Sequence, residues 1–428
     1  MKPAGHLDLQ PWMVAGPTRA VIAALVRDGQ TVRFVGGSVR DALLGRPVQD
    51  VDIATPDPPE TVMRLITEAG LTAIPTGIRH GTVTAVADGA PFEITTLRRD
   101  VETFGRHARV AYTDDWEVDA ARRDFTMNAI FCGTDGTLFD PCGGIPDLRH
   151  GLVRFVGEPA QRIAEDVLRL LRYFRFLAHY GRAAPDPAAI KACRDFAPRL
   201  PTLSGERVRV ELLKLLAAPD PAAILDLMRD EAILAHVLPE ATEIARLRAL
   251  ARVEQECADV SGLGGGGDPL RRLGATLATD EAGIGRIADR LKLSNAERQR
   301  LAAMLAEGDT PGSHDPPPYR RAMLHRMGRP CYVDRLFLAW AAERAMAPAG
   351  TTDAGYRDGL HLAAGWQPKA LPVMGADVQA LGIARGPDVG RILAAVEAWW
   401  IAGDFTADRA AALAKLREVS ALPGPAGR

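Results

Sequence analysis

The segment Arg33–Thr55, RFVGGSVRDALLGRPVQDVDIAT, constrains this chain more than any other. Thr31–Val35 predicts a strand that runs into Gly36-Gly37, and Ser38–Leu44 predicts a helix that starts at once and stops at Gly45 and Pro47. Such a junction favours an anion: glycines let backbone amides come close, and a helix start presents unpaired N–H groups. Arg40, in the first turn, adds a fixed positive charge. Taken alone, the pattern also fits a plain strand–turn–helix. Val51–Ala54 predicts a second strand, and Asp50 and Asp52, two residues apart, fall on one face of it. Neighbouring carboxylates repel and raise each other's pKa unless a cation lies between them. Hard oxygen donors in that number suit Mg²⁺ held jointly with phosphates. A solvated strand edge carries the same two-residue pattern, so the upstream glycines are what favour a site.

Further strands are expected at Thr82–Ala87 and Phe92–Leu97, joined as a hairpin through Asp88-Gly89-Ala90-Pro91, and at Ala129–Cys132 and Thr137–Phe139. Glu93, on the second strand of the hairpin, is a candidate third carboxylate. Beyond about residue 158 the pattern turns helical. Glu165–Tyr180 carries Val167, Leu170, Leu171, Phe174 and Leu177 at helical spacing. Ser204 is expected to cap the helix bearing Val208 and Leu212, and Ser294-Asn-Ala-Glu297 to form a capping box. Asp259–Pro269 and Glu307–Tyr319, dense in Gly and Pro, read as linkers.

The chain has 428 residues, enough for about three domains. No apolar run approaches the ~18 residues of a membrane helix, and Met1–Ala20 lacks the continuous apolar stretch of a secretory signal. Five scattered cysteines with no C-x-x-C pattern argue against a zinc knuckle or a disulfide frame and fit a cytoplasmic protein. The net charge of −2 excludes a globally basic nucleic-acid binder while leaving room for a local basic surface. Of 52 basic residues only six are Lys; compositional bias explains this more simply than selection for phosphate binding.

The run GGSVRDALLG followed by D-V-D resembles motif A of the class II nucleotidyltransferases, the family of the bacterial CCA-adding tRNA nucleotidyltransferases and the bacterial poly(A) polymerases. The resemblance continues in order. Thr96–Asp100 (TLRRD) and Gly105–His107 look like the mobile segment after the hairpin, and Arg122–Ala129 (RRDFTMNA) like motif B. Asp140–Leu148 (DPCGGIPDL) is similar to motif C, Glu165–Phe176 (EDVLRLLRYFRF) to motif D and Ser204–Glu211 (SGERVRVE) to motif E. The joint occurrence spans about residues 32–216. Met374–Leu393 resembles the family's tail more weakly, and residues 250–365 match no motif.

The resemblance implies an α+β fold: a polymerase-β-like head with a mixed sheet at 1–150, a helical neck with base recognition at 151–258, and a helical body and tail at 270–428 that bind tRNA. It implies transfer of a nucleotide from CTP and ATP, with Mg²⁺, to the 3′ end on the acceptor arm of tRNA. Poly(A) polymerase, or addition of CC or A alone, shares all five motifs; a non-catalytic RNA-binding protein is the distant alternative. No membrane or obligate protein partner is implied. Asp50 and Asp52 are the expected metal ligands, with Glu93 as a catalytic candidate beside them. Gly36, Gly37 and Arg40 would hold the triphosphate, and Arg122, Arg123 and Asp124 the sugar and phosphates, with Asp124 accepting from a ribose hydroxyl. Asp166 and Arg169, read as sharing a helix face, would select C and A over U and G, and Arg172 would continue their stripe. Motifs C and E are read as structural, with Glu206, Arg207 and Glu211 expected in an internal ion-pair network that supports motif D. His314-Asp315 sits in a Pro-rich stretch and is not read as a phosphohydrolase motif. Trp399-Trp400 is read as core.

Overall fold

The computed structural model describes residues 1–27, 31–104, 107–258, 267–346 and 353–421. Most of the expected Asp259–Pro269 linker and of the Gly105–His107 stretch lies outside the described residues. The chain forms two compact units, one of residues 1–219 and 223–239, the other of 220–222 and 240–428.

The first unit is built on a mixed sheet. Its strands are β1 (Gly5–His6), β2 (Arg33–Val35), β3 (Val51–Thr55), β4 (Thr72–Gly77), β5 (Thr82–Ala87) and β6 (Ala90–Thr96), followed later by β9 (Phe131–Gly133) and β10 (Thr137–Phe139). The order is β1-β10-β9-β2-β3-β6-β5-β4. β3 and β6 pair in parallel and set Asp52 beside Glu93; the other pairings are antiparallel. β7 (Arg98–Phe104) and β8 (His107–Tyr112) form a separate hairpin. β4 escapes the sequence pattern because its residues, TAIPTG, are mostly exposed on a sheet edge and include a proline.

The helix α1 (Gly37–Leu43) follows β2 directly. Gly36 supplies the turn with φ 72°, a conformation that costs other residues energy. Past the hairpin come α2 (Trp116–Ala121), α3 (Gly144–His150), α4 (Pro159–Glu165), α5 (Leu168–Tyr180) and α6 (Gly205–Leu216). Asp140 accepts hydrogen bonds from the first amides of α3, at 2.7 and 2.8 Å. A Cβ on Gly144 would lie 2.1 Å from the carbonyl oxygen of Thr126, so only glycine lets these two backbones meet. Head and neck helices share a core in which Phe125 packs on Phe155 (4.8 Å) and Phe176 (4.9 Å), and Phe155 stacks on Tyr173 (5.3 Å).

Two expectations need correction. The helix foreseen over Glu165–Tyr180 is broken at Asp166, whose backbone is extended (φ −150°, ψ 108°). The cause is local: an Asp carboxylate competes for backbone N–H groups, and here Oδ1 accepts from Leu168 N (3.2 Å) at the start of α5. Ser204 precedes α6 in an extended conformation, but its hydroxyl makes no capping bond.

The second unit is helical. Its helices include α7 (Ile244–Glu256), α8 (Pro269–Thr276), α9 (Asn295–Leu305) and α10 (Pro317–Met346), the last interrupted at Gly328 (φ 76°, ψ 156°) ahead of Pro330. α7 falls on this side of the boundary although the sequence reading assigned it to the neck. The Ser294–Glu297 capping box forms as expected. Trp400 is buried and donates to Ala407 O (3.1 Å), a core position. Glu254, Arg271, Arg272 and Asp334, all at least 96% buried, form a buried ion cluster: Glu254 takes both arginines (3.0 and 2.7 Å), and Asp334 takes Arg271 (2.9 Å) and the partly exposed Arg300 (2.8 Å).

Candidate active site

The first unit holds a cavity of about 540 Å³ whose wall includes Gly36, Gly37, Arg40, Asp52, Arg123, Asp124, Asn128 and Arg172, and farther along Arg175, Phe176, His179, Tyr180 and Lys214. Seven residues singled out in the sequence therefore converge: Gly36, Gly37, Arg40, Asp52, Arg123, Asp124 and Arg172. β2, α1 and β3 bring the first four, the turn after α2 the next two, and α5 the last.

Asp52 is partly buried, and its carboxyl is pushed up to about 6 by that burial, then by Glu93 and by Asp50, with Arg123 and Arg40 pulling the other way. Asp50 and Glu93 are exposed and are not among the residues that line the cavity, although their charges act on Asp52. A partly buried carboxylate beside two others is a site short of positive charge. Mg²⁺ needs only one or two carboxylates when phosphates complete its shell, so this oxygen donor set fits it. Among the described residues no three His, Cys, Asp or Glu side chains are grouped so as to hold a metal by themselves.

Asp119 on α2, 1% exposed, is the residue the sequence reading missed in this part of the fold. It holds Arg122 (2.6 Å) and Arg123 (2.9 Å), and these guanidinium groups overcome the effect of burial and keep its carboxyl below the usual range. Arg123 is thus aimed at the cavity, whereas Arg122 is outside its wall.

Asp124 lines the cavity with its carboxylate already engaged. Its Oδ1 accepts from Phe125 N (2.9 Å) and Asn128 Nδ2 (3.0 Å), and its Oδ2 accepts from Nε (2.8 Å) and Nη2 of Arg172. Burial alone would raise the carboxyl, but Arg172 and Asn128 hold it down at about 2. A carboxylate with four N–H partners has its acceptor sites filled, which leaves none for a ribose hydroxyl in this conformation. Arg172 also faces Glu211 (3.7 Å), which pairs with Arg175 (2.9 Å).

Asp166 and Arg169 lie near the cavity without forming its wall. Asp166 pairs with Arg207 (2.6 Å) and lines a second hollow of about 360 Å³ with Arg199 and Ser204. Arg169 is held by Glu165 and by the carbonyl oxygen of Arg162 (3.1 Å).

Two family models match the chain: the poly A polymerase head domain over residues 32–154, and the probable RNA and SrmB-binding site of polymerase A over 184–244. The mitochondrial CCA tRNA nucleotidyltransferase 1 of Danio rerio is 35% identical over 86% of this chain and 83% of its own length. The human protein of that name is 33% identical over 89% and 85%.

The chain belongs to the CCA tRNA nucleotidyltransferase family.

The CCA-adding enzyme of Geobacillus stearothermophilus is 41% identical over 54% of this chain. The crystal structure of the Bacillus stearothermophilus CCA-adding enzyme with CTP superposes with a TM-score of 0.78 at 30% identity, covering 96% of this chain and 98% of that one. The Thermotoga maritima enzyme complexed with tRNA shares the fold, with a TM-score of 0.64 at 18% identity. Nucleotidyltransferases of this family generally use a divalent metal. No helix among the described residues is long and apolar enough to cross a membrane.

Proposed function

We infer that this chain builds or repairs the 3′-terminal CCA of tRNA from CTP and ATP. The observation that carries the reading is the match to CCA tRNA nucleotidyltransferases along nearly the whole length of both chains. The cavity agrees with it: Arg40, Arg123, Arg172, Arg175 and Lys214 far outweigh Asp52 and Asp124, as a polyanion requires. Asp50 and Asp52 would hold Mg²⁺, with Glu93 beside them, and the bound ion would stabilise charge on the reacting phosphate oxygens. Gly36 and Gly37 let the backbone approach the triphosphate, while Arg40, Arg123 and Arg172 orient it. The helical second unit would grip the acceptor arm through its shape and phosphates. We place the enzyme in the cytoplasm, although the Danio rerio and human relatives are mitochondrial.

Base choice is assigned to Asp166 and Arg169, on the donor and acceptor pattern of cytosine N4 and adenine N6. Both side chains are engaged by Arg207 and Glu165 here, so reading a base requires trading those partners for base edges. Replacing either by Ala is expected to loosen the C/A preference more than it weakens triphosphate binding. Unchanged preference in competition with UTP and GTP would refute the assignment.

The direct test supplies Mg²⁺, all four triphosphates and tRNA transcripts ending before CCA, after C and after CC, and sequences the products. Termination at CCA from every transcript is expected. Long A tails would make the chain a poly(A) polymerase, and CC or A alone a partial enzyme. Asp52→Ala is expected to abolish extension while tRNA binding survives; substantial turnover by that variant would refute the metal assignment.

A further inference from the structure

Asn128 has no role in the reading above, yet it joins the two arginines that reach the cavity from different parts of the fold. Its Oδ1 accepts from Arg40 Nη1 (2.8 Å), and its Nδ2 donates to Asp124 Oδ1 (3.0 Å). Asp124 grips Arg172 through Nε (2.8 Å) and Nη2, and Arg40 is braced on its other edge by Asp41 (3.0 and 2.8 Å). Asp41 is itself bonded by Tyr180 OH (3.0 Å), whose ring lies 4.4 Å beneath the Arg40 guanidinium. A single chain of bonds therefore runs from α1 through the segment before β9 to α5.

Only a primary amide fills the middle place well. It accepts from a cation on one side and donates to a carboxylate on the other; a carboxylate would repel Asp124, and an apolar group would leave Arg40 and Asp124 each short of a partner. Arg40 and Asn128 are both 8% exposed, so such a loss is not made good by water.

We propose that Asn128 is a positioning residue for nucleotide binding: through its one amide it fixes Arg40 directly, and Arg172 by way of Asp124, so that both guanidinium groups meet the triphosphate as a preset pair. Asp124 belongs to this clamp. The inference rests on the reading that the cavity takes a nucleoside triphosphate.

Titration calorimetry of the chain with ATP and with CTP in Mg²⁺ tests it. Asn128→Ala is expected to bind ATP and CTP about tenfold more weakly, as loss of a bond to a charged partner implies. In turnover the loss appears in KM, with kcat changed less than about threefold. Asp124→Asn, which alters one atom and preserves shape, is expected to give a similar loss and stands alone if Asn128→Ala fails to fold. The double variant is expected to fall within about twofold of the weaker single one, since both cut one chain. Independent, multiplying effects or wild-type binding by either variant would overturn the proposal. If the unaltered chain binds neither ATP nor CTP, the failure lies instead with the functional reading.

Discussion

Asp52 and Asp124 are both shielded carboxylates on one cavity wall, and their neighbours drive them apart. Arg172 holds Asp124 ionised, whereas burial and the charges of Glu93 and Asp50 hold Asp52 near 6. The folded state therefore binds a proton at Asp52 more tightly than the unfolded chain does. Stability from this group is present at low pH and is lost as pH rises through the window from about 4 to 6. Asp52→Asn is expected to stabilise the metal-free protein at pH 7.5, by on the order of 1–3 kcal/mol, and to change little near pH 4. Added Mg²⁺ is expected to raise the melting temperature of the unaltered chain and narrow that gap. Thermal melts with chelator and with Mg²⁺ check this; an Asn variant no more stable than its parent at pH 7.5 would show that Asp52 carries no unpaid charge. At this scale Gly36, Gly37, Arg40, Asp52, Arg123 and Arg172 were legible in the sequence because glycines at a strand end and charges at fixed offsets imply a site. Asn128 was not, because its role depends on partners on other elements, 88 positions away in the case of Arg40; Asp119 was overlooked although its partners Arg122 and Arg123 stand only three and four positions on.

Among the elements, the predicted hairpin appears as β5 and β6, and Thr137–Phe139 forms β10: β6 and β10 alternate in burial, β5 is a short and mostly buried run, and each adjoins a clear turn. The break before α5 was hidden: an apolar period of 3.6 runs through Val167 and Leu170 whether or not Asp166 is helical. Contacts over long range were equally hidden, such as the approach of Gly144 to Thr126 O. Gly144→Ala is expected to destabilise the first unit by about 2–3 kcal/mol, read as a lower denaturation midpoint. A variant as stable as its parent would mean that α3 can slide away from the segment carrying Asn128.

At the scale of the molecule, sequence motifs illuminated the first unit and left most of the second dark. The reason is physical: phosphate chemistry demands particular side chains at particular spacings, while a helical scaffold demands only a pattern of burial. The buried cluster of Glu254, Arg271, Arg272 and Asp334 could not be foreseen, since its members look like ordinary surface charges in a helical sequence. Glu254→Ala is expected to cost the second unit about 3–5 kcal/mol, because two buried arginines would lose a shared carboxylate, with Arg271 keeping Asp334. Calorimetric scanning should show an earlier transition, while ATP binding by the first unit stays within about twofold of the parent. Loss of ATP binding in step with that transition would instead tie the two units into one cooperative whole.

The break at Asp166 bears on how nucleotide choice can be altered in a chain of this kind. The same carboxylate starts α5 through Leu168 N and holds Arg207 on α6. A substitution there changes a recognition group, a helix start and a tie between helices in one stroke. New preferences are therefore reached by paired changes, at Asp166 and Arg207 together, and a library that varies single positions would sample mostly damaged scaffolds.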